Sequence, residues 1–310
     1  MAQPNGDIVV VRTHFPPFFT DADISDLVNF HVIEFSGLGM PPVEHLMQSG
    51  PQQDGATYLG FRLQPRIVTL SIAALSQTPP AFHQKRAFLL RTFVPSESLM
   101  SGAAAGPPLY PAAISYRGPY MELRWTYDRK PSALPQVTET RVLYCVYHSG
   151  LQMPSARMVK HNMRDTVQLL AANPLWWDPT PVSVDPGVLG TGTISYTYNI
   201  DRSTDINGWD TYPIITVTGP ATDITINNDD LGIRVTRSGT LAGGQTNILD
   251  LRYGVKTVVD GGGSSALAAW SGDLGTFHLG RGRNAMRIAA NGVTSATRVK
   301  IDYYRSFIGI

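Results

Sequence analysis

Runs of alternating apolar and polar residues, each cut short by glycine or proline, recur along the whole chain. Ile67-Val68-Thr69-Leu70-Ser71-Ile72 and Met121-Glu122-Leu123-Arg124-Trp125-Thr126-Tyr127 are two in the first half. A period of two sends successive side chains to opposite faces of an extended segment, so one face enters a core while the other meets water. The breakers are abundant: 29 glycines and 23 prolines make up about 17% of the 310 residues, against an average near 12%. Long helices do not survive such punctuation, and the pattern predicts an all-β fold.

At 310 residues the chain exceeds a typical single domain, so two β-domains are expected. The stretch Asn173-Pro174-Leu175-Trp176-Trp177-Asp178-Pro179 runs into Thr180–Gly192, rich in Pro, Gly and Val. A boundary near residue 180 follows, dividing the chain into 1–180 and 181–310. Short strands are denser in the second part: residues 214–220, 223–227, 233–237, 249–253 and 298–304, spaced as in a sandwich. The last of these sets Val299, Ile301 and Tyr303 on one face and Arg298, Lys300 and Asp302 on the other, which fits a jelly-roll or galectin-like sandwich. Apolar residues from Ser155 to Ala172 recur at helical spacing, but Asn173-Pro174 forces an extended or turn conformation, so a strand is expected over Thr166–Ala171. Gly102–Pro108 reads as a surface loop.

Charge and motif exclude several functions. Charged residues are only 16%, against roughly 25% for a soluble chain, which leaves much surface for partners to cover. A net charge of +1 does not supply the basic stripe that phosphate binding needs. The start MAQPNGDIVVVR lacks the pattern of a secretory signal, and no stretch reaches about 18 consecutive apolar residues, so no membrane association is expected. The single Cys145 sits in the alternating run RVLYCVYHSG and reads as a buried, inert thiol.

No reactive constellation stands out. There is no GxSxG elbow, and the seven histidines make no HExxH-like pair. Gly280-Arg281-Gly282-Arg283-Asn284-Ala285 imitates a dinucleotide fingerprint but precedes a β-like Met286-Arg287-Ile288 rather than a helix. Ser203, Asp205, Asn207 and Gly208 partly match a calcium loop, yet Ile214 stands where a bidentate glutamate would close it. Asn227-Asn228-Asp229-Asp230 reads as a hairpin turn first and a weak cation site second. Neither a catalytic residue, a metal nor a cofactor is assigned. Trp176, Trp177, Trp209 and Trp270 could stack on sugars, the basis of an alternative lectin-like reading, or pack in cores.

Several of these features, in order, resemble the distal tail protein family of long-tailed bacteriophages. They are Gly37-Leu38-Gly39-Met40-Pro41-Pro42-Val43-Glu44, then Gln53-Asp54-Gly55 with Gly60 and Arg66, then Asn173–Pro179 with Trp176 and Trp177. Next come Gly208–Ile214, Val217-Thr218-Gly219-Pro220, Ile226-Asn227-Asn228, Leu279–Asn284 with Ile288, and Ile301-Asp302-Tyr303-Tyr304. The resemblance implies a non-enzymatic hub of the virion, built in the host cytoplasm. Its N-terminal sandwich or barrel-like domain would close a ring, usually of six copies, and its galectin-like C-terminal domain would lie on the periphery. The implied partners are other copies of itself, the major tail tube protein and a tail-associated or baseplate hub protein, with DNA only in passage. Pro41, Pro42, Gln53, Asp54, Gly55, Arg66, Trp176, Trp177 and Asn284 are the assembly or fold-motif candidates.

Overall fold

The computed structural model describes residues 8–15, 18–25, 29–51, 54–93, 121–128, 138–152, 158–159, 162–205, 207–252 and 255–310. Within them the chain is all-β apart from one α-helix, Pro79–Phe93, and a 3-10 turn, as the punctuated alternation predicts. It divides into two compact units. The first takes the described residues up to Trp176 together with Ile308–Ile310, and the second runs Trp177–Phe307.

In the first unit, strands Phe30–Ser36, Arg66–Ala74, Asn162–Ala171 and Thr138–Gly150 lie side by side in that order. The long strand Thr138–Gly150 changes partner along its length: Thr138–Cys145 pair with Met121–Asp128, and Val146–Gly150 with Val167–Leu170 across a bulge. Ile8–Phe15 and Phe18–Asp23 extend the far side. A strand that switches sheets through a bulge turns one sheet back over the other, so their inner faces share a core. Val68, Leu70 and Ile72 from one side and Val9, Val11 and Leu123 from the other are buried there, and Phe35 meets Trp125 edge-on at 4.5 Å.

The helix Pro79–Phe93 is announced only by Thr78-Pro79-Pro80, prolines being preorganised for a first helical turn, with Phe82 N–H donating to the Thr78 carbonyl. It buries Phe82, Leu89 and Phe93, while Phe88 stacks on Phe30 at 5.5 Å. The helical spacing after Ser155 is not realised. Asn162–Ala171 is a strand in register with Arg66–Ala74, as Asn173-Pro174 favours. The loop expected at Gly102–Pro108 lies outside the described residues.

The second unit is a two-sheet sandwich. One antiparallel sheet orders Val182–Val184, Arg298–Tyr303, Ile214–Thr218, Thr246–Asp250 and Thr257–Asp260; the other orders Gly192–Asp201, Arg283–Val293, Ala221–Asn228, Ile233–Leu241 and Trp270–Gly272. Alternation decides the inner faces. Val299, Ile301 and Tyr303 are buried opposite Met286, Ile288 and Ala290, in one shared core, while Lys300 points out. Part of the Pro/Gly/Val-rich stretch after residue 180 is itself structured, because Val182–Val184 pairs with Tyr303–Ile301 along the sheet edge.

Candidate assembly surface

Within the first unit, Arg66 opens its strand and is 1% exposed, yet its side chain reaches four main-chain carbonyls. Nε donates to Pro174 O at 2.8 Å, Nη1 to Gly37 O and Gly39 O at 2.7 and 2.6 Å, and Nη2 to Ile308 O at 2.5 Å. The guanidinium also lies 6.0 Å from the ring centroid of the fully buried Trp176. Burial pushes the Arg66 pKa down to about 10. It stays charged at neutral pH, held by carbonyl dipoles, and the planar fork that lysine lacks joins three separate segments. The Gly37 turn is forced: its φ is +87°, and a Cβ there would stand 2.2 Å from Ile67 O.

Directly beyond these tied carbonyls comes a two-stranded hairpin, Val43–Gln48 with Thr57–Leu63. Pro41 before it is buried and Pro42 exposed, with the Pro42 carbonyl accepting from Gln64 N–H at 2.8 Å. Residues directly opposite share a face, so the pairs Val43/Leu63, His45/Phe61 and Met47/Tyr58 line one side of the ribbon. His45 and Tyr58 rings lie 5.9 Å apart on it. The other side carries Leu46 among the polar Gln48, Arg62 and Glu44, the last of which accepts from Arg62 Nε at 2.6 Å and from Gln64. The hairpin is therefore amphipathic, and none of its strand residues is buried. Asp54 and Gly55 lie exposed in the connection, where Gly55 has φ +84° and open space around its α-carbon; Gln53 falls outside the described residues.

The remaining candidates sit elsewhere. Trp177 is buried in the second unit, and the buried indole N–H groups of Trp176 and Trp177 have no hydrogen-bond acceptor among the described residues. Asn284, also in the second unit and fully buried, is a structural node. Its Nδ2 donates to Gly280 O at 3.1 Å and Gly282 O at 3.2 Å, while Oδ1 accepts from Gly280 N–H at 2.8 Å and Asn228 Nδ2 at 2.9 Å. It locks the loop that mimicked a nucleotide fingerprint, and that loop leads into the strand Arg283–Val293. Arg66, Pro41, Pro42 and Trp176 thus belong to one neighbourhood, and Asn284 to another.

The acidic turns are occupied by protein donors. Asp205 is buried between Arg202 at 3.0 Å and Arg305 at 3.6 Å, and Asp201 Oδ1 accepts from Ser203 N–H. Asp229 takes both Nε and Nη2 of Arg287, and Asp230 accepts from Ala285 N–H at 2.7 Å. Among the described residues no three His, Cys, Asp or Glu side chains gather as a metal site. The sugar-stacking use of the tryptophans is not realised for Trp176, Trp177 and Trp270, which are 0–5% exposed. Trp209 is half-buried with the Arg281 guanidinium 4.8 Å from its ring centroid. Burial raises the Cys145 thiol to about 12. No helix among the described residues is long and apolar enough to cross a membrane.

Two features carry no signal that sequence reading caught. The apolar face of the hairpin was open to detection from the alternation of Val43, His45 and Met47 and of Phe61 and Leu63. The Ile308 carbonyl on Arg66 is separated from it by 242 positions, and no local pattern announces it.

No protein-family model matches the chain, and no curated protein sequence does. Solved structures do resemble it. The SPP1 Dit (gp 19.1) protein, described as a paradigm of the hub adsorption apparatus in Gram-positive-infecting phages, is similar over 96% of this chain and 98% of its own, with a TM-score of 0.56 at 12% identity. The phage P2 baseplate in its activated conformation is matched over 96% of this chain at 8% identity with a TM-score of 0.43. The chain therefore shares the fold of a phage Dit protein across nearly its whole length, as the resemblance in the sequence implies.

Proposed function

We propose that the chain is a non-enzymatic structural hub of a phage tail. Six copies close a ring that joins the tail tube to the baseplate or tail tip, and DNA passes through it. The functional halves are residues 1–180, which form the ring, and 181–310, a galectin-like sandwich on its periphery. The observation that carries this reading is the end-to-end likeness in fold to a hub protein, 96% of one chain and 98% of the other. Likeness over a single sandwich would have been common to many unrelated proteins.

Two local features support the same reading. The first unit holds its loops rigidly around Arg66 and offers an apolar ribbon, which suits a heterologous contact whose angle must be fixed if a ring is to close. The net charge of +1 suits a passage from which DNA must leave, since a strongly basic wall would retain phosphate. In this account the ring stacks on the major tail tube protein, holds a tail-associated or baseplate hub protein, and acts in the virion after assembly in the host cytoplasm. It calls for no cofactor. Negative-stain imaging of the purified full chain tests the reading: rings of one diameter are expected, and particles of monomer size at every concentration would refute it.

A further inference from the structure

We infer that residues Ile308–Ile310 form a releasable strap of the first unit, and that its seating holds the base of the Val43–Leu63 hairpin in place. These are the last three residues of the sequence, yet they belong to the first unit, with Ile308 standing 242 positions from Arg66. Arg66 and the strap together occupy three consecutive carbonyls of the Gly37–Gly39 turn. Arg66 Nη1 donates to Gly37 O and Gly39 O at 2.7 and 2.6 Å, while Ile310 N–H donates to Leu38 O, between them in sequence, at 3.3 Å. The same guanidinium donates through Nη2 to Ile308 O at 2.5 Å, so turn and strap share one donor group. Gly309 is buried where nothing larger fits: a Cβ there would stand 3.1 Å from Leu38 O and 3.2 Å from Gly39 O.

What the strap controls follows from the order of the chain. Met40, Pro41 and Pro42 come directly after the clasped turn, and Pro42 O accepts from Gln64 N–H at 2.8 Å, the bond that closes the hairpin at its base. Two successive prolines fix their φ, so the direction of the turn passes on to Val43 with little slack. A two-stranded hairpin is marginally stable alone, and none of the strand residues of this one is buried, so the clasp sets its direction in place of a core. The strap is lightly held. Two hydrogen bonds tie it to the turn and to Arg66, and contributions of that size open locally far more often than a whole unit unfolds. Phe307, immediately before it, is buried and paired with Gly208 in the second unit, so a released strap stays tethered and returns by an intramolecular step. Residues 1–180 by themselves would keep Arg66 and lose the clasp.

Native-state amide hydrogen exchange on the full chain tests this, with the Ile310 amide reporting on the strap and the Gln64 amide on the hairpin base. In the unmodified protein both should exchange through local opening, at least about a hundredfold faster than the core amides of Arg66–Ala74. Ile310→Pro removes the donor to Leu38 O, and Gly309→Val crowds the carbonyls of the turn. Each should speed exchange at Gln64 about threefold to tenfold, the effect of losing one hydrogen bond, and leave Arg66–Ala74 and Arg298–Tyr303 as in the parent. Ile310→Val keeps the N–H and should match the parent. Unchanged exchange at Gln64 in both variants would overturn control of the hairpin by the strap. An Ile310 amide that exchanges only as slowly as the core would overturn its release, and an equal loss of protection in Arg66–Ala74 would make the three residues part of that core instead.

Discussion

Arg66 in the first unit and Arg202 in the second are both buried among main-chain carbonyls, and the two are neutralised differently. In the second unit Arg202 donates to Leu279 O at 2.9 Å and Trp209 O at 2.8 Å, and Asp205 sits against its Nε at 3.0 Å. In the first unit the four bonds of Arg66 all end on carbonyls. A guanidinium with a carboxylate is a closed pair, whereas one held by dipoles alone ties down chain segments at a larger desolvation cost. The surfaces differ in the same sense. Among the described residues, all the exposed large hydrophobics but Val188, Leu231 and Leu267 belong to the first unit. The second unit is a finished sandwich, and the first is a scaffold that presents something.

The largest effect is expected where that difference is sharpest. Arg66→Met removes the donor shared by four main-chain carbonyls and should cost the first unit about 3–5 kcal/mol in urea unfolding. Exchange protection in Arg298–Tyr303 of the second unit should remain as before; a matching loss there would break the distinction between the units. Arg66→Lys should recover little, because an ammonium cannot span four carbonyls in one plane.

Asn284→Ala is the counterpart in the second unit. It removes both donor and acceptor from a closed node, and a loss of about 2–3 kcal/mol is expected, confined to strands around Gly280–Gly282. Protection in Arg66–Ala74 should not change.

A smaller effect comes from the Cys145 thiol, raised by burial from 9.0 to about 12. Above pH 9 the unfolded chain ionises while the folded thiol keeps its proton, so the folded state binds more protons and its stability falls as pH rises. The contribution is fully present below pH 9 and amounts to about 1 kcal/mol lost by pH 10. Cys145→Ala should flatten that part of the curve, and a thiol reagent should label the native protein only as fast as it unfolds. Rapid native labelling at pH 8 would contradict the buried reading.

At the hairpin connection the effect is expected on assembly more than on melting. Asp54→Lys alters an exposed turn and should shift stability by no more than about 1 kcal/mol, while Gly55→Val adds the strain of valine at φ +84°, about 1–3 kcal/mol. Ring formation, followed by light scattering after size exclusion, should suffer more than the melting temperature does. Normal assembly by both variants would remove this turn from the ring contact.

Much of the second unit is readable in its sequence, because each strand has one buried face and alternation states which. Val299, Ile301 and Tyr303 are inside and Lys300 outside, as period two requires. The first unit is less readable for identifiable reasons. The helix Pro79–Phe93 places Phe88 and Leu90 outside the row that buries Phe82, Leu89 and Phe93, so no clean stripe marks it. The hairpin hides because neither face is covered within the unit, which makes its exposed apolar residues look like a connection. Arg66 and Trp176 stand out as candidates in sequence, but their meeting depends on carbonyls contributed from Gly37, Pro174 and Ile308, which only the fold brings together.

The hub account is tested most directly by locating this polypeptide in an intact virion, by antibody labelling or cryo-electron microscopy of the tail. The account predicts a single ring of density at the junction where the tube ends and the tip begins, with the second unit outermost. Density along the tube shaft, at the capsid or at the fibre ends would contradict it.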